Sequence, residues 1–156
     1  MGGPRPFGMK VRGSRSREDI AAFLEAQTIP IRLGCRTPAG HPWMVSLWYR
    51  HREEDDGWRL ECATAADADV VAYLRETPEV SFEVSTNQPP YAGVRGRGEA
   101  SLEPDPDKKV LRDLLERYLD GTESELARTL LDEDREEVTI TIEPAVVYGW
   151  DFSGRM

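Results

Sequence analysis

The sequence predicts a mainly β fold with small helices (α+β), built as an antiparallel barrel of six to seven strands. Three observations carry this. Short runs place apolar residues at every second position, as in Val80-Ser81-Phe82-Glu83-Val84 and Val138-Thr139-Ile140-Thr141-Ile142, the period of a half-buried strand. Turn formers separate the runs, notably Pro38-Ala39-Gly40 and Pro89-Pro90-Tyr91-Ala92-Gly93. The helical patterns between them are small and do not alternate regularly with strands, which favours a closed antiparallel sheet over a doubly wound one.

The chain has 156 residues, 39% of them hydrophobic. That is enough for one domain with a sizeable core. A net charge of −9 argues against a nucleic-acid partner, because a phosphate backbone repels an acidic surface. No apolar run approaches the roughly 20 residues of a membrane helix, and the first residues lack the apolar stretch of a signal peptide. A cytoplasmic protein with no membrane partner is expected. Arg5, Lys10, Arg12, Arg15 and Arg17 all precede the first acid, Glu18. Residues 1–15, rich in Gly and Pro, are read as a flexible basic N-terminal segment, and 16–156 as the folded domain. Cys35 and Cys62 each sit in an apolar strand pattern and are expected to be buried free thiols. No Cys-x-x-Cys or His-x-x-x-His spacing exists, so no metal site is expected.

The elements follow in order. Ser16 with Asp19 forms a capping box for a helix that carries Ile20, Phe23 and Leu24 on one face and ends near Gln27. Strand one covers 31–37, with Ile31, Leu33 and Cys35 inward. Strand two, 43–50, is apolar on both faces: Trp43, Val45, Leu47 and Tyr49 on one, Met44, Ser46 and Trp48 on the other. Either both faces are covered, or one meets a ligand or partner. Residues 51–57 read as a solvated hairpin loop. Strand three groups Trp58, Leu60, Cys62 and Thr64. Asp67 is positioned to cap a short helix with Val70, Val71 and Leu74 inward. Strand four holds Val80, Phe82 and Val84. Strand five, 94–103, sets Gly96 and Gly98 on one face and Arg95, Arg97 and Glu99 on the other; the glycines suit a flat ligand or a sharp bend. Asp105 and Pro106 open a longer helix that stops at Gly121, and Thr122-x-x-Glu125 is a second capping box. Two last strands flank Pro144.

The order of these pieces, the strand from Pro42 to Tyr49, Ala63-Thr64 before a short helix, and the Pro89-Pro90-Tyr91-Ala92-Gly93-Val94 loop resemble the pyridoxamine 5'-phosphate oxidase-like split β-barrel family. The resemblance spans about residues 19–150. It implies a homodimer with two cofactor sites at the subunit interface, and FMN as cofactor, or the deazaflavin F420. By this resemblance Val45, Ser46, Leu47 and Trp48 match the strand that lines the flavin ring, and Thr64 the hydroxyl that meets its phosphate. Arg95 and Arg97 are candidates for an anion clamp, Trp150 for an interface aromatic, and Tyr91 for a pocket cover. For Trp48 and Trp150 the alternative is core packing. For the two arginines it is pairing with Glu83 or Glu99.

One departure bears on the cofactor. Flavin-binding relatives usually carry Ser, Arg and Lys after that threonine. Here the stretch is Ala65-Ala66-Asp67-Ala68-Asp69-Val70, with Asp69 and Val70 at the places of the Arg and Lys. Two carboxylates repel a phosphate. The sequence also shows no nucleophile–base pair, so a cofactor would carry any redox step. Three readings stay open: a flavin-dependent oxidoreductase acting on an unknown small molecule; a binding module on the same barrel holding haem or a nucleotide; and a dimeric interaction protein without a ligand.

Overall fold

The computed structural model describes residues 8–155. The expected α+β architecture is observed: eight strands, mostly antiparallel, with four small α-helices.

The first helix is placed by its cap. Ser16 accepts the Asp19 backbone N–H at 3.1 Å and opens α1, Arg17–Ala26. Strand β2, Ile31–Arg36, follows, and then β3, Pro42–Leu47, and β4, Tyr49–Glu54, which are interrupted only at Trp48. β3 pairs with β2, whereas β4 pairs with β5, Gly57–Ala65. The remaining strands are β6, Glu79–Ser85, β7, Ala92–Pro104, and β8, Glu137–Asp151. The hydrogen-bonded path runs β3-β2-β6-β7-β8-β5-β4. It begins and ends on the same stretch of chain, which carries the sheet round from one edge to the other. The barrel is split at Trp48.

Several boundaries differ from the sequence reading. The expected loop 51–57 is strand as far as Glu54, paired with β5; Arg50 and Arg52 share one face and both reach Glu61, at 2.8 and 2.7 Å. The two last strands are one. Pro144 stands opposite Gly98, where the β7–β8 register shifts, so a bulge absorbs the proline that would otherwise break the ladder. The flexible segment expected over 1–15 is corrected where it is described. β1, Lys10–Gly13, pairs in parallel with 146–149 of β8, and Met9 is buried. Residues 1–7 of that segment lie outside the described residues.

The helices cover the sheet unevenly. α2, Asp69–Glu76, buries Val70, Val71 and Leu74; its N-cap is Ala68, without a side-chain bond, rather than Asp67. α3, Lys109–Leu119, starts later than expected: its N-cap is Lys108, in the left-handed region, rather than Asp105, and Pro106 lies outside it. The Asp105 carboxylate still takes the N–H groups of Lys109 and Val110 at 3.0 Å each. α4, Glu125–Leu130, is capped by Ser124 instead of Thr122. The barrel interior, together with α1 and α2, forms the main core around Trp58, Tyr49, Leu60 and Ile140. A smaller core lies outside the barrel, where Leu111, Leu115 and Ala127 of α3 and α4 cover Ala63 and Trp48. Arg117 locks α3 to α1 by donating to the carbonyls of Leu24 and Glu25 at 2.7 and 3.0 Å, a cation on the acceptor end of a helix. Cys35 and Cys62 are buried and free, as expected.

Candidate functional site

The outer face of β2, β6, β7 and β8 has no helix over it in the same way. Register places its side chains in rows. Arg32 stands opposite Glu83, Glu83 opposite Arg95, and Arg95 opposite Tyr148. In the next outward row Met44, Gly34, Ser81 and Arg97 follow one another. These rows line a cavity of about 440 Å³, with Phe82 and Gly96 in its floor. A second cavity, about 430 Å³, shares Gly34, Met44, Ser81 and Arg97 and extends past Arg36 to Trp43. Trp43 in turn stands edge-on to Tyr73 of α2, ring centres 5.8 Å apart. The two cavities adjoin as one trough, aromatic at both ends and arginine-lined between.

The trough is positive in a negative protein. The charged groups of the larger cavity are Arg32, Arg95, Arg97 and Glu83, three cations less one anion, or +2, in a chain of net charge −9. Arg95 is held on two sides. Its Nε lies 3.4 Å from a Glu83 oxygen, and its guanidinium lies 4.3 Å from the centre of the Trp150 ring. Ser85 donates to the other Glu83 oxygen at 3.0 Å. Thus Arg95 both pairs with Glu83 and lines the cavity, and Trp150 is its platform. Among the described residues Arg32 and Arg97 make no ion pair.

The other residues singled out from the sequence fall in different places. Val45 and Leu47 lie on the inner side of β3, opposite Leu33 and Ile31, yet both are only half-buried because β3 is an edge of the ladder. Ser46 points outward and is exposed. Trp48 stacks on Tyr118 at 5.2 Å and 9°, beside the small outer core. Thr64 is half-buried near the end of β5, opposite Val138, away from the arginines of the trough. Tyr91 is exposed in the loop before β7, and its carbonyl accepts the Phe152 N–H at 2.8 Å. Gly96 and Gly98 serve the bend. A Cβ at Gly96 would lie 2.6 Å from the Phe82 ring, and one at Gly98 2.1 Å from the Glu143 carbonyl oxygen.

The region after Thr64 does not suit a phosphate. Asp67 and Asp69 are exposed, and Val70 is 4% exposed within the core. A lysine at 70 would have its ammonium desolvated. Sequence reasoning missed Arg32, Glu83 as a lining group, and Tyr148. The signal for Arg32 was present: it alternates with the buried Ile31 and Leu33 as Arg95 alternates with Val94. What the pattern lacked was the strand order that sets Arg32 and Arg95 in one row.

Neither cysteine is an activated thiol. Burial raises the pKa of Cys35, which lines its far end, and pushes Cys62 up to about 12, so both stay protonated thiols. Among the described residues no group of His, Cys, Asp and Glu could hold a metal ion.

No family model matches the sequence, and no curated protein matches it. Solved structures do. The conserved hypothetical protein Rv2991 from Mycobacterium tuberculosis superposes with a TM-score of 0.71 at 22% identity, over 97% of this chain and 91% of that one. An F420 reductase gives a TM-score of 0.66 at 22% identity, over 80% and 93%. A candidate pyridoxamine 5'-phosphate oxidase from Listeria innocua gives 0.61 at 20%, over 87% and 97%. This chain has the split-barrel fold of those proteins. At such identities the likeness is one of fold, and it agrees with the fold expected from the sequence.

Proposed function

We propose that this chain binds a flavin-type cofactor, FMN or F420, along the trough and acts as a flavin-dependent oxidoreductase-like protein on a small molecule. One observation carries the reading: a cavity of about 440 Å³ with net charge +2 and aromatic walls, in a chain of net charge −9. That volume lies in the roughly 300–1,000 Å³ range of ligand pockets, and the lining suits an anion joined to a flat, largely apolar body. The names of two fold neighbours, an F420 reductase and a candidate pyridoxamine 5'-phosphate oxidase, support the same class. Arg97 would meet the anionic part, with Arg95 beside it, held by Glu83 and Trp150; Trp43 and Trp150 offer flat contacts, and Val45, Ser46 and Leu47 remain candidate backbone contacts from the family resemblance. Thr64 and Tyr91 remain candidate contacts from the family resemblance. When bound, the cofactor supplies the redox chemistry; the protein binds it, orients it and excludes water. The protein is further proposed to be cytoplasmic and a homodimer; among its described residues no helix is long and apolar enough to cross a membrane.

A second reading, a split-barrel protein without flavin, rests on Asp67, Asp69 and the buried Val70 at the place where relatives carry phosphate-binding bases. Titration of FMN and of F420 into the purified chain, followed by fluorescence, separates the two. Binding that weakens about tenfold or more in Arg97→Ala is expected, the loss of one charge-assisted contact. No binding of either at up to about 1 mM, a free energy near −4 kcal/mol, rejects the flavin reading.

A further inference from the structure

We propose that Arg32 and Arg97 form an anion clamp on the outer sheet face, specific for a phosphate-type dianion and restrained by Glu83. The site rests on this chain's own residues. Only the claim that the dianion is a cofactor's phosphate rests on the flavin reading.

Three features build the clamp. First, the floor between the two arginines is Gly34 beside Ser81. A Cβ at Gly34 would lie 2.5 Å from the Ser81 Oγ, so a side chain there would fill the space over the hydroxyl. No hydrogen bond occupies the Ser81 hydroxyl among the described residues, and it is exposed. It is a hydroxyl open to solvent between two cations. Second, Arg32 and Arg97 lack ion pairs among the described residues although both line the cavity. By ladder geometry they are two strand spacings apart and two residues out of step, roughly 12 Å between Cα atoms. Two guanidinium groups reaching inward over that span suit one tetrahedral, doubly charged anion better than a monoanion. Third, Arg95 is already engaged by Glu83 and Trp150. Glu83 thereby lowers the potential of the groove without abolishing it. It is a restraint on anion affinity, and Arg32 and Arg97 are left as the free arms.

The clamp also accounts for the acidic entry to α2. A phosphate held over Ser81 does not need bases at 69 and 70, and the carboxylates there discourage a second anion.

The test uses the full chain, inorganic phosphate at about pH 8, where it is a dianion, and acetate as the monoanion, followed by NMR titration at low salt. Phosphate is expected to bind and acetate to bind far more weakly. Arg32→Ala and Arg97→Ala should each weaken phosphate about tenfold or more, Glu83→Gln should strengthen it severalfold, and added salt should erode all of these differences. These side chains are at the surface, and unchanged melting temperatures confirm that the variants fold. Absence of phosphate binding, or wild-type affinity in both arginine variants, overturns the clamp. FMN against riboflavin identifies the source. If phosphate obeys the arginines but FMN does not bind, the clamp stands and the flavin reading falls. If FMN binds equally well in Arg32→Ala, its phosphate lies elsewhere, and the clamp is rejected as the cofactor's anchor.

Discussion

Trp48 and His51, three residues apart, show what one side chain discloses in sequence and what it conceals. Trp48 admits two readings, ring platform or core, and its stack on Tyr118 shows packing on one ring face that no sequence pattern disclosed. His51 reads as part of a charged loop, yet its side chain is 0% exposed. Its ring meets Trp58 edge-on at 4.8 Å, Nδ1 lies 3.3 Å from a Glu25 oxygen of α1, and Nε2 has no partner among the described residues. Burial lowers its proton affinity, outweighing Glu25 and Glu53, which favour the cation; Arg117 of α3 adds to the lowering. The sign follows. A base whose folded pKa lies below the unfolded value of about 6.5 leaves the unfolded chain binding more protons between the two, so its contribution is present at neutral pH and is lost as pH falls below about 6.5. Chemical unfolding from pH 8 to 5 should therefore show the wild type losing stability relative to His51→Gln, by no more than about 1.4 kcal/mol per pH unit. Parallel profiles for the two would show that the imidazole stays solvated.

At the scale of elements, what was legible was whatever carries its own period or cap. β2 and β6 alternate cleanly, and Ser16 and Asp105 announce their helices. What was not legible depends on a neighbour. The outer half of β4 is strand because β5 pairs with it, and β8 passes Pro144 because β7 accommodates a bulge. β1 is the clearest case. Lys10-Val11-Arg12-Gly13 has no apolar alternation, and its order comes from a parallel ladder with β8 and from Met9, which packs beside Gly57 at the β4–β5 turn. Burying one methionine side chain is worth about 1.5–3 kcal/mol. A chain beginning at residue 14 should thus melt several degrees below one beginning at residue 8, since about 1 kcal/mol shifts a domain of this size by a few degrees. Equal melting temperatures would mean that β1 contributes nothing to the barrel.

For the molecule as a whole, charge and cover are segregated. α3 and α4 shield one outer side of the barrel. The opposite face keeps Arg32, Arg95 and Arg97, extended by Arg12 opposite Tyr148 and Lys10 opposite Val146. Around these cations Met44 is 67% exposed, Tyr148 46% and Trp43 43%. Arg, Met, Tyr and Trp are the residues enriched at protein interfaces, so this face suits a second copy of the chain. Two such faces brought together would bring their arginines near one another, and anions in the grooves would relieve that repulsion. Dimer formation and anion binding should consequently be linked, each strengthening the other by the same factor. Sedimentation equilibrium over a concentration series should give twice the 17.6 kDa chain mass, with a tighter dimer in inorganic phosphate than in sodium chloride of equal ionic strength. Met44→Asp should shift the protein toward monomer by placing a charge in an apolar contact. Arg97→Ala should remove the phosphate dependence while leaving the dimer intact or tighter, because it deletes one of the opposed charges. A monomer at every concentration would reject this face as a self-interface, whereas a dimer indifferent to phosphate would place the contact elsewhere on the barrel.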